Sequence, residues 1–197
     1  MNKIAYCFFI FLLTAAFVIL LEGCSSNRRL VKIIEKDYNT NFILFSDTAT
    51  SLSLREKRLS KIPKVVFQCR NLEFLDLSVN KLKSIPSEIE VFKKLKVLVV
   101  SYCHIKTLPQ SISNLRELQY LSLLDNNIEY IPSEISKLNK LKVLNLNANP
   151  VRKLPTTIFS MSRLEKLNLG QWNGDTLLNR PQLDSLFKLM PDCKVTF

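Results

Sequence analysis

The chain has 197 residues, of which 47% are hydrophobic and only 3 are Gly. That is enough apolar material for one packed domain beside a targeting segment, and too little glycine for Gly-rich phosphate loops or long flexible linkers. The formal charge of +11 suits anionic lipid, glycan, nucleic acid or an acidic protein and does not choose among them.

At the N-terminus Lys3 precedes an uncharged apolar stretch over residues 4–21, and Leu21-Glu22-Gly23-Cys24 follows. A charged start, an apolar middle and a small residue before the cut are the layout of a secretory signal, expected here over residues 1–23. The last four residues resemble the bacterial lipoprotein signal, in which a Leu and a Gly precede a cysteine that becomes the lipid-bearing N-terminus. The resemblance implies lipidation of Cys24. Glu22 departs from that pattern, which prefers a small or apolar residue there. The alternative is an uncleaved anchor, because eighteen residues of helix span about 27 Å of a ~30 Å hydrocarbon core. Either way the rest of the chain is expected outside the cytoplasm and on a membrane of the cell envelope.

Residues 24–29 are polar and basic and read as a tether. Residues 30–48 carry Leu30, Val31, Ile33, Ile34, Tyr38, Phe42, Ile43, Leu44 and Phe45, too apolar for a disordered linker. The segment predicts an N-terminal cap: a short helix, then a strand near Phe42 to Phe45.

From Ala49 the chain repeats. Leu72, Leu95, Leu118, Leu141 and Leu164 fall 23 residues apart, and Ala49 extends the series backward. Other columns keep the same period: Leu52 to Leu167 three residues on, Leu54 to Leu169 five on, Leu59 to Val151 ten on, and Ile62 to Leu154 thirteen on. Pro63, Pro86, Pro109, Pro132 and Pro155 come next, and Val66 to Ile158 stand seventeen on. The L-x-L step alternates with period two and predicts a short strand with one face inward. Each Pro fixes φ and donates no N–H, which favours an extended or 3₁₀-like return path over a long helix. One repeat cannot bury these side chains alone, but stacked neighbours can. Asn80, Cys103, Asn126 and Asn149 share the position after each strand, where an amide can satisfy turn backbone with both ends. Cys103 is a weaker substitute, and Lys57 and Trp172 take the slot in the terminal repeats.

This pattern resembles the typical 23-residue leucine-rich repeat. The resemblance implies an α/β solenoid over residues 49–171: a right-handed arc with a parallel sheet on its concave side and an irregular or 3₁₀ convex side. It also implies protein recognition as the function. Residues 172–197 are expected to form the C-terminal cap. Pro181 to Met190 reads as a short helix with Leu183, Leu186, Phe187 and Met190 at helical spacing, and Cys193 to Phe197 alternates like a last strand. This ending is similar to the C-terminal caps of bacterial repeat proteins. Cys69, Cys103 and Cys193 are an odd number, and the first two sit at core positions, so free buried thiols are expected.

Residues between the buried leucines face the concave surface. Phe74, Val97, Tyr120, Val143 and Lys166 stand in one column, with Val79, Val99, Tyr102 and Leu124 in neighbouring ones. Phe74, Val97, Val99, Tyr102, Tyr120, Leu124 and Val143 are the candidate ligand-binding residues, with Phe74, Tyr102, Tyr120 and Leu124 as anchors. Arg58, Lys61, Lys81, Lys83, Lys106, Arg152 and Lys153 follow the strands, while Arg70, Lys93, Lys94, Arg116, Lys140 and Arg163 precede them. Both edges are therefore expected to be basic.

Catalytic signals are missing. His104 is the one histidine, and with Cys103 it falls short of a zinc site. No nucleophile elbow, P-loop, dinucleotide fingerprint or H-E-x-x-H occurs. Asp76 and Asp125 are expected about 10 Å apart, in different columns and with no cleft implied. Basic residues are not interleaved with stacking aromatics, which argues against nucleic acid. The expected function is that of a membrane-anchored, extracytoplasmic protein-binding module, monomeric and without cofactor, metal or catalysis. The alternative is a structural or adhesive envelope protein that holds glycan or anionic lipid on its basic edges.

Overall fold

The computed structural model describes the backbone of residues 30–33 and 43–46, and residues 49–170 and 177–197 in full. Two short strands come first, β1 (Leu30–Ile33) and β2 (Ile43–Ser46), paired antiparallel with Leu30 opposite Ser46 and Ile33 opposite Ile43. The helix expected at the start of the cap is thus a strand over Leu30–Ile33. Val31 and Ile33 are β-branched and suit a strand, and the antiparallel partner thirteen residues on satisfies their backbone. The remainder of that expectation, residues 34–42, lies outside the described residues. So do the signal, Cys24 and Trp172.

Seven parallel strands then form one open sheet in chain order: β3 (Ser51–Ser53), β4 (Phe74–Asp76), β5 (Val97–Val99), β6 (Tyr120–Ser122), β7 (Val143–Asn145), β8 (Lys166–Asn168) and β9 (Lys194–Thr196). Registers advance by 23 residues from β3 to β8, with Leu52, Leu75, Leu98, Leu121, Leu144 and Leu167 side by side. Between strands the chain returns through 3₁₀ turns at Lys64–Gln68, Ser87–Val91, Gln110–Asn114, Ser133–Lys137 and Thr156–Ser160. Each follows its Pro at φ between −59° and −75°. The Pro carbonyl accepts the N–H three residues later, as from Ile112 to Pro109 at 3.0 Å. A 3₁₀ turn is wider than a strand, so stacking bends the array with the sheet on the concave side.

The core runs the length of the stack. The leading leucines, both L-x-L positions and the return-path Ile and Leu columns are buried, as is a chemically mixed column of Cys69, Phe92, Leu115, Leu138 and Met161. The array closes with α1 (Arg180–Leu189), capped by Asn179, whose Oδ1 accepts from the Gln182 N–H at 3.1 Å. Leu186 and Met190 are buried against the stack, and β9 pairs with β8. Phe187, expected on the buried stripe, is 58% exposed and meets the edge of the Phe197 ring. It lies one position off the Leu183-Leu186-Met190 line and so at the margin of the stripe.

Candidate functional site

The parallel register sets the outward residues in rows. One row reads Ser51, Phe74, Val97, Tyr120, Val143, Lys166 and Lys194; the next reads Ser53, Asp76, Val99, Ser122, Asn145, Asn168 and Thr196. Phe74, Val97, Tyr120 and Val143 therefore lie side by side, each half-buried. Val99 sits in the second row between Asp76 and Ser122. Beyond the strand ends the Tyr102 N–H donates to the Leu124 carbonyl at 2.8 Å, which brings the last two candidates together. Seven strands make the face about 29 Å wide.

Tyr102 owes its display to an unusual backbone. Glu56, Val79, Tyr102, Asp125 and Ala148 share one repeat position, and all have φ between 54° and 59°. This left-handed conformation is disfavoured for side chains with a Cβ, most of all for a β-branched valine. It turns the chain out of the strand and leaves the Tyr102 side chain 42% exposed. None of these residues is Gly or Asn, so the sequence carried no sign of it.

Toward β8 and β9 the face changes character. Lys166 and Lys194 are register neighbours, Asn145, Asn168 and Thr196 align in the next row, and Asn147 lies beyond the strand end beside Asp125 and Gly170. Asn145 Oδ1 accepts from the Asn147 N–H at 3.1 Å, Asn147 Oδ1 from the Gly170 N–H at 2.9 Å, and Asn168 Oδ1 from the Thr196 hydroxyl at 2.7 Å. Sequence reasoning placed Lys166 in its column but missed this corner. The available signal was the change to Asn at outward positions of the last two repeats.

Under the face, the amide ladder holds the turns. Asn126 Nδ2 donates to the carbonyls of Val100 (2.7 Å) and Leu123 (2.9 Å), while its Oδ1 accepts from the Ile105 N–H (2.9 Å). Asn80 and Asn149 make equivalent bonds. In the Cys103 slot the thiol donates to the Leu77 carbonyl at 3.6 Å. Burial pushes this thiol above its ordinary pKa, against the lowering by backbone N–H groups of Asn80 and Leu82. A buried thiol of this kind is structural and not a nucleophile. Cys69 is likewise buried and in no disulfide. His104 is exposed, and Asp76 Oδ1 is engaged by the Ser78 N–H at 2.8 Å. Among the described residues no three of His, Cys, Asp and Glu converge as metal ligands.

A leucine-rich-repeat region model matches residues 92–191, and a second leucine-rich-repeat model matches residues 47–105. The chain belongs to the leucine-rich-repeat family. A search of curated proteins gives no match. Among solved structures, a leucine-rich-repeat protein of Leptospira interrogans is similar at 30% identity and TM-score 0.71, over 77% of this chain and 38% of that one. An internalin of Listeria monocytogenes matches at 18% identity and TM-score 0.62, over 75% of this chain and 40% of that one. A plant peptide hormone receptor in complex with RGF2 matches at 35% identity and TM-score 0.56, over 68% of this chain and 22% of the receptor. The chain thus spans well under half the length of each of these proteins. Leucine-rich-repeat proteins often bind proteins.

The two edges of the leucine-rich-repeat arc differ. On the edge where strands begin, Lys96, Lys140 and Lys142 pair with Glu73, Glu117 and Glu165 at 2.7, 2.7 and 2.9 Å, each across one repeat. Lys94 reaches Asn71 in the same way at 2.8 Å. On the edge where strands end, Arg58, Lys61, Lys81, Lys83 and Lys106 make no ion pair among the described residues. Arg55 with Glu56 at 3.3 Å and Arg152 with Glu129 at 3.5 Å are ion pairs on that edge. The expectation of two basic edges is therefore refined: one is stitched across repeats by ion pairs, and on the other Arg58, Lys61, Lys81, Lys83 and Lys106 join none among the described residues.

Proposed function

We propose that this protein is a membrane-anchored, extracytoplasmic recognition module that binds a protein on its concave face and catalyses nothing. The observation that carries the reading is the contiguous apolar row of Phe74, Val97, Tyr120 and Val143, bordered by Val99, Leu124 and the outward Tyr102. These side chains do not complete the core, because the inward leucines already fill it. An exposed apolar strip on a rigid sheet gains by being covered. The peptide hormone receptor among the similar structures, in complex with RGF2, gives the reading a precedent in another protein. The test is a photo-crosslinker placed at Tyr120 or, as a control, at Lys93, in envelope extract. A stoichiometric protein adduct from Tyr120 alone is expected. If Tyr102→Ala and Tyr120→Ala then bind that protein as tightly as wild type, the reading fails.

Anchoring rests on the sequence of residues 1–24, with lipidation at Cys24 or an uncleaved apolar segment as its two forms. No helix among the described residues is long and apolar enough to cross a membrane. Mass spectrometry of the mature N-terminus decides between a diacylated or triacylated Cys24 and an intact Met1. A soluble, unmodified chain would end this part of the proposal.

The unpaired cations of the edge where strands end support a second reading, adhesion to glycan or anionic lipid. Residues 57–64, 80–87 and 103–110 contain no carboxylate, so their cations repel one another unless an anion lies over them. Retention on an acidic polysaccharide that disappears at high salt would favour this reading over the first.

A further inference from the structure

Charge is spread unevenly along the edge where strands end. Residues 55–63, 78–86 and 101–109 trace that edge through the first three repeats and hold seven Lys and Arg against one carboxylate, Glu56. Glu56 pairs with Arg55 at 3.3 Å. The corresponding residues of the fourth repeat, 124–132, hold Asp125 and Glu129 and no Lys or Arg. On the opposite edge Glu73 and Glu117 interrupt the same three repeats and pair with Lys96 and Lys140. The carboxylates Glu88, Glu90 and Glu134 lie on the 3₁₀ turns of the convex side. Stacking brings the cations together: the Lys81 N–H donates to the Leu59 carbonyl at 2.8 Å and the Lys106 N–H to the Lys83 carbonyl at 3.4 Å. Arg58, Lys61, Lys81, Lys83 and Lys106 are all exposed. Three strands at ~4.8 Å spacing span about 10 Å, roughly one Debye length, so an approaching surface meets these charges as one.

This patch is also the part of the array held nearest the N-terminal segment. Leu30 lies opposite Ser46, so the hairpin folds back and adds one strand spacing to the reach of the chain. Nine peptide steps remain between Cys24 and Ala49, which with that spacing extend to about 40 Å at most. We propose that the edge of Arg58, Lys61, Lys81, Lys83 and Lys106 lies against the anionic headgroups of the membrane to which this chain is anchored. The inference rests on the anchoring of residues 1–24 and narrows the anion at this edge to lipid. A tethered surface presents its headgroups at a far higher effective concentration than a free glycan. Each cation near an anionic bilayer strengthens the contact about fivefold. The carboxylates of the fourth repeat confine the contact to the first three. With this edge down the strands stand on end, and the concave face opens sideways, uncovered.

The test adds the full-length chain to preformed vesicles, of phosphatidylcholine alone or with about one third phosphatidylglycerol. Lysines are then labelled with a membrane-impermeant amine reagent and read by mass spectrometry. Flotation in about 1 M salt, where the Debye length is ~3 Å, reports the anchor alone. The result expected is that Lys61, Lys81, Lys83 and Lys106 label about threefold more slowly on the acidic vesicles. Lys93 on the opposite edge and Lys188 on α1 should label equally on both. High salt should abolish the difference. Lys81→Gln, Lys83→Gln and Lys106→Gln together should return Lys61 to its rate on phosphatidylcholine, with the fold checked by circular dichroism. Chains that float at high salt yet label alike on both vesicles overturn this inference alone. Chains that do not float overturn it together with the anchoring. Protection of the same lysines by heparin but not by acidic vesicles assigns the edge to glycan and likewise overturns it.

Discussion

The inward and outward faces of β4 to β8 are built from the same three-residue strands and obey opposite rules. Inward, Leu75, Leu98, Leu121, Leu144 and Leu167 are the same residue in every repeat, each fully enclosed. Outward, Phe74, Val97, Tyr120, Val143 and Lys166 differ at nearly every step and are all half-exposed. An inward side chain must fit the same neighbour above and below, and stacking allows one answer. An outward one meets solvent or a ligand, and its identity is free to follow the ligand. The contrast separates what stabilises the array from what it recognises within a single peptide plane.

That contrast is sharpest in adjacent residues of β6. Leu121→Ala is expected to destabilise by about 3–4 kcal/mol through lost transfer energy and a cavity, read by denaturant unfolding. Asn126→Ala comes next, at about 2–3 kcal/mol, because the Ile105 N–H and the Val100 and Leu123 carbonyls lose their partner. Cys103→Asn should move the other way and stabilise by about 1 kcal/mol, restoring to the interrupted slot the bonds its neighbours make. The same substitution should remove an alkaline dependence. The folded thiol is raised above its unfolded value, so the stability it contributes is full below the unfolded pKa and is lost as pH rises through the folded one. The smallest change in stability, under about 1 kcal/mol, is expected for Tyr120→Ala. Its effect should appear instead in partner affinity, as a loss of about tenfold. A Tyr120→Ala variant as unstable as Leu121→Ala would erase the distinction between the two faces.

Most of the architecture was legible because stacking enforces repetition. Seven aligned columns suffice to place the strands, the Pro-initiated 3₁₀ turns and the amide ladder, and each lies where the period put it. The N-terminal cap was less legible. Leu30, Val31 and Ile33 satisfy helical and extended patterns alike, and a partner strand thirteen residues away decides between them. The candidate binding row was readable from the alternation of β4 to β7, and the register brings Phe74, Val97, Tyr120 and Val143 together. Two features of the surface were not readable. The left-handed column of Val79 and Tyr102 comes from the turn before the ladder amide, with no glycine to announce it. The partial neutralisation of one edge depends on side-chain reach across a repeat, as from Lys140 to Glu117.

Gly170 carries a consequence for how such an array can grow. A Cβ at this position would lie 2.4 Å from the carbonyl carbon of Phe197, so the backbone of the last strand closes directly over it. A coil inserted between β8 and β9 would have to break this contact. Lengthening by duplication is therefore compatible with the interior, where a copied unit of 23 residues preserves the strand register. A duplicated repeat would thus widen the concave sheet from the middle and leave the Gly170–Phe197 closure in place.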